Sequence, residues 1–598
     1  YLAFQKKDHG RPAADILAEL IPRAVLAIPF PRTMYWEGKS GPRFIRPIHS
    51  LLALFGGRVI PCAIGSVRAG SETFGHRLLG KPNLAVRNFA TYRKALRDNS
   101  VLMDPQERRK RILDGAAALL QSNKGLRLKP NEELLHTLVY LTEFPTPLVG
   151  EFDPSFLALP EEVLITVMKG HQKYLSLERD GALAPYFIAV LDRDADPTGV
   201  IRHGHERVLR ARFTDARFFW EADAEITLRE RRAMLQNVTF QAQLGSYHDK
   251  AERMTELANA LVLQLREEER ALETRPAPVD EFNVIEAAGL AKCDLTTDLV
   301  KEFTELQGVV GGLYARREGL PEEVATAIYD HYKPQGMEDV LPRTREGDLV
   351  SLADRMDTLA GCFGVGLAPS GSKDPFGLRR AAQGVVRILA EHQLRLTLDG
   401  LVGASCRVYE EAKKKGRVPT WDVQAVWDPL TEFLVDRLRY YLREVRSFAY
   451  DEVNAVLAAG GSETRAKIYR VPDILERIEA ISRIRPTENF EPLAAAFKRM
   501  KNILRQAREA HGFTGGRPDD QLFEPGPEKD LFTRYQEVFQ QSEREKSKGN
   551  YLAALEAIAS LRPAVDRFFD KILVMDKNPV VRKNRLSLLD MLLNTFST

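Results

Sequence analysis

Cysteine is scarce: Cys62, Cys293, Cys362 and Cys406 are the only four in 598 residues, and no two form a C-x-x-C pair. That spacing excludes a zinc ribbon and a disulfide framework, and it suits a reducing compartment. No apolar run reaches the ~18 residues of a membrane span, and no secretory signal is visible. Net charge is only +3, so any surface for a polyanion has to be local. Neither G-x-x-x-x-G-K-[ST] nor G-x-G-x-x-G after a strand occurs, which leaves no standard phosphate loop. What is present is a globular composition, 44% hydrophobic and 28% charged, with length for several domains.

The stretch Ser351 to Leu389 organises the chain. Leu352, Met356, Leu359 and Phe363 recur at helical spacing, while Asp354 and Asp357 share another face. The spacing predicts a helix that stops in glycine, a loop from Gly361 to Ser372, and a second helix opened by Asp374 as N-cap with Pro375 behind it. Leu378, Ala382, Val385 and Leu389 carry its buried face, leaving Arg379, Arg380, Gln383 and Arg387 outward. A glycine loop before a helix could hold a phosphate, but Asp374 would occupy the cap, so a structural turn is the better reading.

Upstream, residues 1 to 81 alternate short apolar runs with turns, and Gly56-Gly57 marks a hairpin. His76-Arg77 beside glycines reads as a structural pair before it reads as a phosphate site. Arg108 to Arg111 read as a solvated face. In VMKGHQKYL, Lys169, His171 and Lys173 bunch donors beside Tyr174, a set suited to phosphate contact and stacking. A packed strand end is an equal reading. Leu209, Phe213, Ala216 and Trp220 then make a helical stripe ringed by Arg207, Arg210, Arg212 and Arg217.

Between Gln236 and Leu389, His248-Asp249, Cys293-Asp294, His331 and Asp354 follow the ligand order of HD-type metal phosphohydrolases. Cysteine replaces the central imidazole, which argues against a working dinuclear site. Asp294 and Asp354 then become polar struts that cap helices or pair with Lys292 and Arg355. From Leu394 to Ala480 a connecting helical region is expected, broken at Gly416 to Pro419 and at Gly460-Gly461. From Ile481 the chain reads as a bundle. Phe497, Met500, Ile503 and Leu504 pack inward, with Lys498, Arg499, Lys501 and Asn502 outside, and 524 to 550 is expected to be exposed.

Several words carry a family resemblance: RFIRPIHSLLALFG, GHRLLG, VMKGHQKYL, ADRMDTLAG, SKDPFGLRRAA and RKNRLSLL. Together they resemble the β subunit of the bacterial heteromeric glycyl-tRNA synthetase. The last word resembles the final helix of a DALR-type anticodon-binding domain, shared with arginyl-tRNA synthetases. The resemblance implies a multidomain, mainly α fold with an N-terminal α+β region. Its parts would be residues 1–200, a tRNA-binding region whose family counterpart begins before Tyr1; 201–395, an HD-like helical domain without intact metal ligands; 396–480, a helical linker; and 481–598, a DALR-like helical bundle.

The function so implied is tRNA recognition within an ATP-dependent glycine–tRNA ligase. An α subunit, in an α2β2-type assembly or fused to this chain, would make glycyl-adenylate and charge the glycine tRNA. No catalytic residue, metal or cofactor is expected here; ATP and Mg belong to the holoenzyme. DNA and membrane are not expected partners, and the cytoplasm is the expected location. Lys498, Arg499, Lys501 and Asn502 on one helix, with Arg582, Asn584 and Arg585 on another, are the expected tRNA contacts in one exposed groove. Lys169, His171, Lys173, Arg207 and Arg210 are further candidates. The competing reading is a free-standing HD-type metal-dependent phosphohydrolase.

Overall fold

The computed structural model describes residues 10–121, 125–270, 276–418, 422, 424–459, 469–488 and 490–596. The break expected at Gly460-Gly461 lies outside them. Two compact units divide the chain, Tyr1–Ala222 and Asp223–Thr598. No helix among the described residues is long and apolar enough to cross a membrane.

The first unit is α+β. Leu54–Phe55 pairs antiparallel with Arg58–Val59 across Gly56-Gly57. Both glycines have positive φ, +57° and +77°, as a two-residue hairpin turn of this hand requires. Its central sheet has four antiparallel strands in the order Leu126–Leu128, Leu175–Arg179, Ala182–Asp192, Pro145–Glu151. Helices Pro105–Gln121 and Glu132–Leu141 contribute Ile112, Leu135 and Leu138 to a core shared with Leu177 and Ile188 of the strands.

Helix Val200–Asp223 belongs to this unit and not, as expected, to the block that follows residue 200. Its stripe is the reason: Phe213 is fully buried and packs 5.0 Å from Phe152 and 5.4 Å from Phe156, ring to ring. The basic run is structural as well. Arg108 Nε donates to the Val139 carbonyl and Arg111 Nε to that of Pro145, while Arg109 pairs with Glu132. His76 is buried, accepting at Nδ1 from the Leu78 and Leu79 amides with Nε2 3.3 Å from Asp192.

The second unit is built on Arg345–Gly364, whose inner face is buried from Gly347 onward. The helix does not stop at Gly361. That glycine lets Tyr409 close in, since a Cβ there would overlap its hydroxyl, which donates to the Asp357 carbonyl at 2.9 Å. The next helix also starts later than expected, at Leu378. Gly377, with φ +65°, ends a turn begun at Asp374, whose carboxylate accepts from the Leu378 and Arg379 amides at 2.8 and 2.9 Å. Gln383 and Arg387 are buried, not outward. Arg387 is drawn in by the Gly336 carbonyl at 2.7 Å and by Glu391 at 2.8 Å.

Leu398–Lys414 and Gln424–Tyr440 complete this same core and do not form a separate connector, as Tyr409 and the Phe363–Phe433 ring contact at 5.3 Å demonstrate. A further core runs from Ile484 to Leu592 and gathers Met500, Leu504, Leu531, Val565, Phe568 and Leu589. Pro527–Ser547 gives it Leu531, Tyr535 and Val538, so this charged stretch is exposed on one face only.

At the centre of the first of these cores lies a buried charge network. Lys250 Nζ is 2.9 Å from Asp354 and 3.1 Å from Asp357, and Arg253 Nε is 2.6 Å from Asp357. Lys292 Nζ reaches Asp354 at 2.7 Å and His331 Nε2 at 2.9 Å. Burial, then repulsion from Lys292, pushes His331 down to about 3, so the ring is neutral at ordinary pH. It carries its proton on Nδ1, which donates to the Ile328 carbonyl at 2.6 Å, and accepts at Nε2. Burial would raise the Asp354 carboxyl, but Lys250 and Lys292 more than reverse that and hold it well below the carboxylate range. Burial lowers Lys292 to about 8 against the pull of Asp354.

Residues that follow the HD ligand order are held by protein partners. Asp249 closes a capping box with Ser246, and Asp294 receives the Gly308 and Gly311 amides at 2.5 and 3.2 Å, capping Val309–Arg317. His331 and Asp354 do converge, on the ammonium of Lys292. Arg355 pairs with no carboxylate among the described residues; it donates to the carbonyls of Tyr332 and Pro334, each at 2.8 Å. His248, Asp249 and Glu252 bring ligand atoms within 4.8 Å of one another, but Asp249 is held by its cap and Glu252 by Arg417.

Removing one side of a buried ion pair strands the other, at about 3–5 kcal/mol, whereas loss of an N-cap hydroxyl costs about 1 kcal/mol. Asp354→Ala is therefore expected to lower the urea midpoint of the second unit several times more than Ser246→Ala. Equal shifts for the two variants would show that the network does not anchor the helices.

Candidate nucleic-acid interface

The C-terminal core presents two helices that carry the expected contacts, Phe490–His511 and Pro579–Phe596, tied by Arg508 to Asp590 at 2.9 Å. In the first, Met500 and Leu504 are buried and Phe497 and Ile503 partly so, which turns Lys498, Arg499, Lys501 and Asn502 to solvent. Lys498 and Lys501 have no carboxylate within 4 Å among the described residues. Arg499 lies over the Phe569 ring at 4.4 Å. Two unneutralised ammonium groups three residues apart on one helix make a positively charged face.

The second helix departs from expectation. Arg585 is buried: it pairs with Glu528, with Asp576 at 2.9 Å, and donates to the Leu573 carbonyl at 2.9 Å. Asn584 is also buried; its amide nitrogen donates to the Asp519 carbonyl at 3.0 Å and its oxygen accepts from the Asp519 amide at 2.6 Å. Neither has a free edge to offer a base. Arg582 is half-buried and donates to the Asp576 carbonyl at 3.2 Å. One groove formed by all seven residues is thus not what the chain builds.

Instead, Asn584 pins the segment before Asp520–Leu522 against the helix start and leaves an open cleft of about 480 Å³. Leu522, Pro579 and Val580 give it apolar walls, and Arg517 and Lys583 are exposed in its lining, with no carboxylate within 4 Å among the described residues. Sequence reading missed both cations. Yet Leu588, Leu589 and Leu592 lie three, four and seven residues after Arg585, which puts Arg585 at the middle of the buried face and Lys583 on the opposite one.

In the first unit, Lys169 is paired with Glu133 at 2.6 Å. Lys173, in the left-handed region at φ +58°, donates to the Gly170 carbonyl at 2.8 Å. His171 is exposed, as are Arg207 and Arg210 on helix Val200–Asp223. Tyr174 is no stacking platform for a base: it is buried, stacked on Phe187 at 4.5 Å, with its hydroxyl 2.7 Å from His205 Nδ1. Burial pushes that phenol up to about 12.

Arg585→Ala strands the buried Glu528 carboxylate and is expected to cost about 3–5 kcal/mol in thermal unfolding, whereas Lys498→Glu and Lys501→Glu stay within about 0.5 kcal/mol of the parent. A stable Arg585→Ala variant would contradict its assignment to the core.

Comparison with known proteins gives the family. A profile of the glycyl-tRNA synthetase beta subunit matches residues 1–458, and one of the DALR anticodon binding domain matches residues 493–598. The chain is 44% identical to the glycine–tRNA ligase beta subunit of Acidobacterium capsulatum, over 100% of this chain and 83% of that protein. It is 39% identical to those of Moorella thermoacetica and Geotalea daltonii, over 99% and 100% of this chain and 82% of each relative. The chain therefore belongs to the glycyl-tRNA synthetase β-subunit family and carries a DALR anticodon-binding domain at its C-terminal end.

Proposed function

We propose that this chain is the tRNA-recognition subunit of a glycine–tRNA ligase and that its C-terminal bundle engages the anticodon arm of glycine tRNA. The exposed, unneutralised pair Lys498 and Lys501 carries the reading, because cations without a protein counter-charge are those that displace counterions from a phosphate backbone. Asn502, Arg499 and the half-buried Arg582 flank this role. Asn584 and Arg585 act through the frame that they hold, not by touching RNA.

The subunit designation of the relatives supports an α partner that makes glycyl-adenylate from ATP and glycine. A two-to-two assembly is the expected stoichiometry, and four free, buried thiols suit a reducing cytoplasm. The helices from Tyr247 to Glu391 are an HD-like scaffold in this reading. Lys292 stands where imidazole and carboxylate would share a metal, so that block supports the fold and leaves phosphoester chemistry aside.

Two measurements test this. Lys498→Glu combined with Lys501→Glu is expected to weaken glycine tRNA binding and to flatten its salt dependence by roughly one unit of slope for each phosphate that the lysines neutralise in the parent. Glycine-dependent ATP–pyrophosphate exchange is expected only after the α subunit is added. Exchange by this chain alone would place an adenylate-forming site within it and overturn the division of labour.

A further inference from the structure

The near-neutral total charge hides a strongly basic module. Residues 10–100 hold fourteen lysines and arginines against five acids, a net +9 in a chain whose total is +3. The acids are already engaged in part: Glu19 with Arg11, Asp98 with Lys94, and Glu37 with the Ser66 amide and hydroxyl. Much of the positive charge therefore lacks a protein partner. The module's core is small, built on Ala53, Ile60 and Cys62, so most of its side chains sit on the surface.

Within it an open cleft of about 690 Å³ runs between the Gly56-Gly57 hairpin and the start of helix Phe89–Asp98. Leu52, Leu54 and Val86 give it an apolar lining; Arg87, Phe89 and Tyr92 complete it. Phe89 is 67% exposed at the edge of this lining, so its ring is open to solvent. Arg87 is exposed with no carboxylate within 4 Å among the described residues, as are nearby Arg93 and hairpin residue Arg58. The turn packs close, since a Cβ at Gly57 would lie 3.8 Å from the Arg87 carbonyl.

We propose that this cleft is a second RNA-binding site, which takes an unpaired nucleotide of the tRNA outside its anticodon arm. A base stacks on Phe89 over the apolar lining, and the adjoining phosphates meet Arg87, Arg58 and Arg93. Charge complementarity selects a polyanion, and an exposed ring beside an apolar hollow selects a nucleobase, which duplex RNA does not expose. A protein partner would need an unusually acidic surface to match this charge. The inference rests on the reading that this chain binds tRNA, but not on where the anticodon is read.

The test uses the full chain assembled with its α subunit and two RNAs, whole glycine tRNA and its isolated anticodon stem-loop. Phe89→Ala is expected to weaken whole-tRNA binding about 5- to 150-fold, the range for loss of one stacked base, Arg87→Glu to weaken it with a shallower salt dependence, and both to leave the stem-loop affinity unchanged. Phe89→Tyr is expected to bind as the parent does. Unchanged whole-tRNA binding in folded Phe89→Ala and Arg87→Glu variants would overturn the proposal, and so would equal weakening for both RNAs. If the parent fails to bind the stem-loop at all, the anticodon reading fails, while the whole-tRNA comparison still decides this one.

Discussion

Two carboxylates one helical turn apart, Asp354 and Asp357, set the constraint on which the second unit depends. Each is buried, and a buried carboxylate persists in its charged form only beside cations. Lys250, Arg253 and Lys292 therefore have to come from two other segments and meet at one helix. The Lys250 ammonium lies 4.5 Å from the Phe240 ring and that of Lys292 3.7 Å from Tyr332, so aromatic faces take up part of the charge. Three segments distant in sequence are fixed in register by this requirement before any apolar packing is considered.

The same cluster occupies the point at which a metal would have to bind. A metal site needs lone pairs that converge on an open position. Here His331 Nε2 and an Asp354 oxygen converge, yet the point between them holds an ammonium group covalently attached to the fold. Lysine delivers one positive charge and three donors, enough to satisfy both acceptors without binding anything from solution.

Much of the architecture is legible in the residues, and the failures have physical causes. Periodicity locates the Leu209/Phe213/Ala216 stripe and the Met500/Leu504 face, because burial follows the helical repeat. Gly56-Gly57 announces its hairpin. By contrast, residue type alone assigns Arg387, Gln383, Asn584 and Arg585 to solvent, although helical phase puts Arg585 among the leucines. Arg387, Asn584 and Arg585 are buried because partners await them, and those partners, Gly336, Asp519 and Glu528, come from remote segments that no local pattern discloses. The domain boundary near residue 200 fails similarly, since which unit receives an amphipathic helix depends on the surface offered to it. Exposed cations are easy to find in the sequence. Which of them lack a counter-charge is decided only by the folded chain.

The Asn584 clamp on Asp519 has an evolutionary consequence. Both bonds go to backbone atoms, one to an amide and one to a carbonyl, so they ignore the side chain at position 519 and those beside it. The segment can exchange its side chains, Arg517 among them, while its path along the helix stays fixed. A cleft rim anchored through main chain in this manner separates the freedom to change its surface chemistry from the obligation to remain folded.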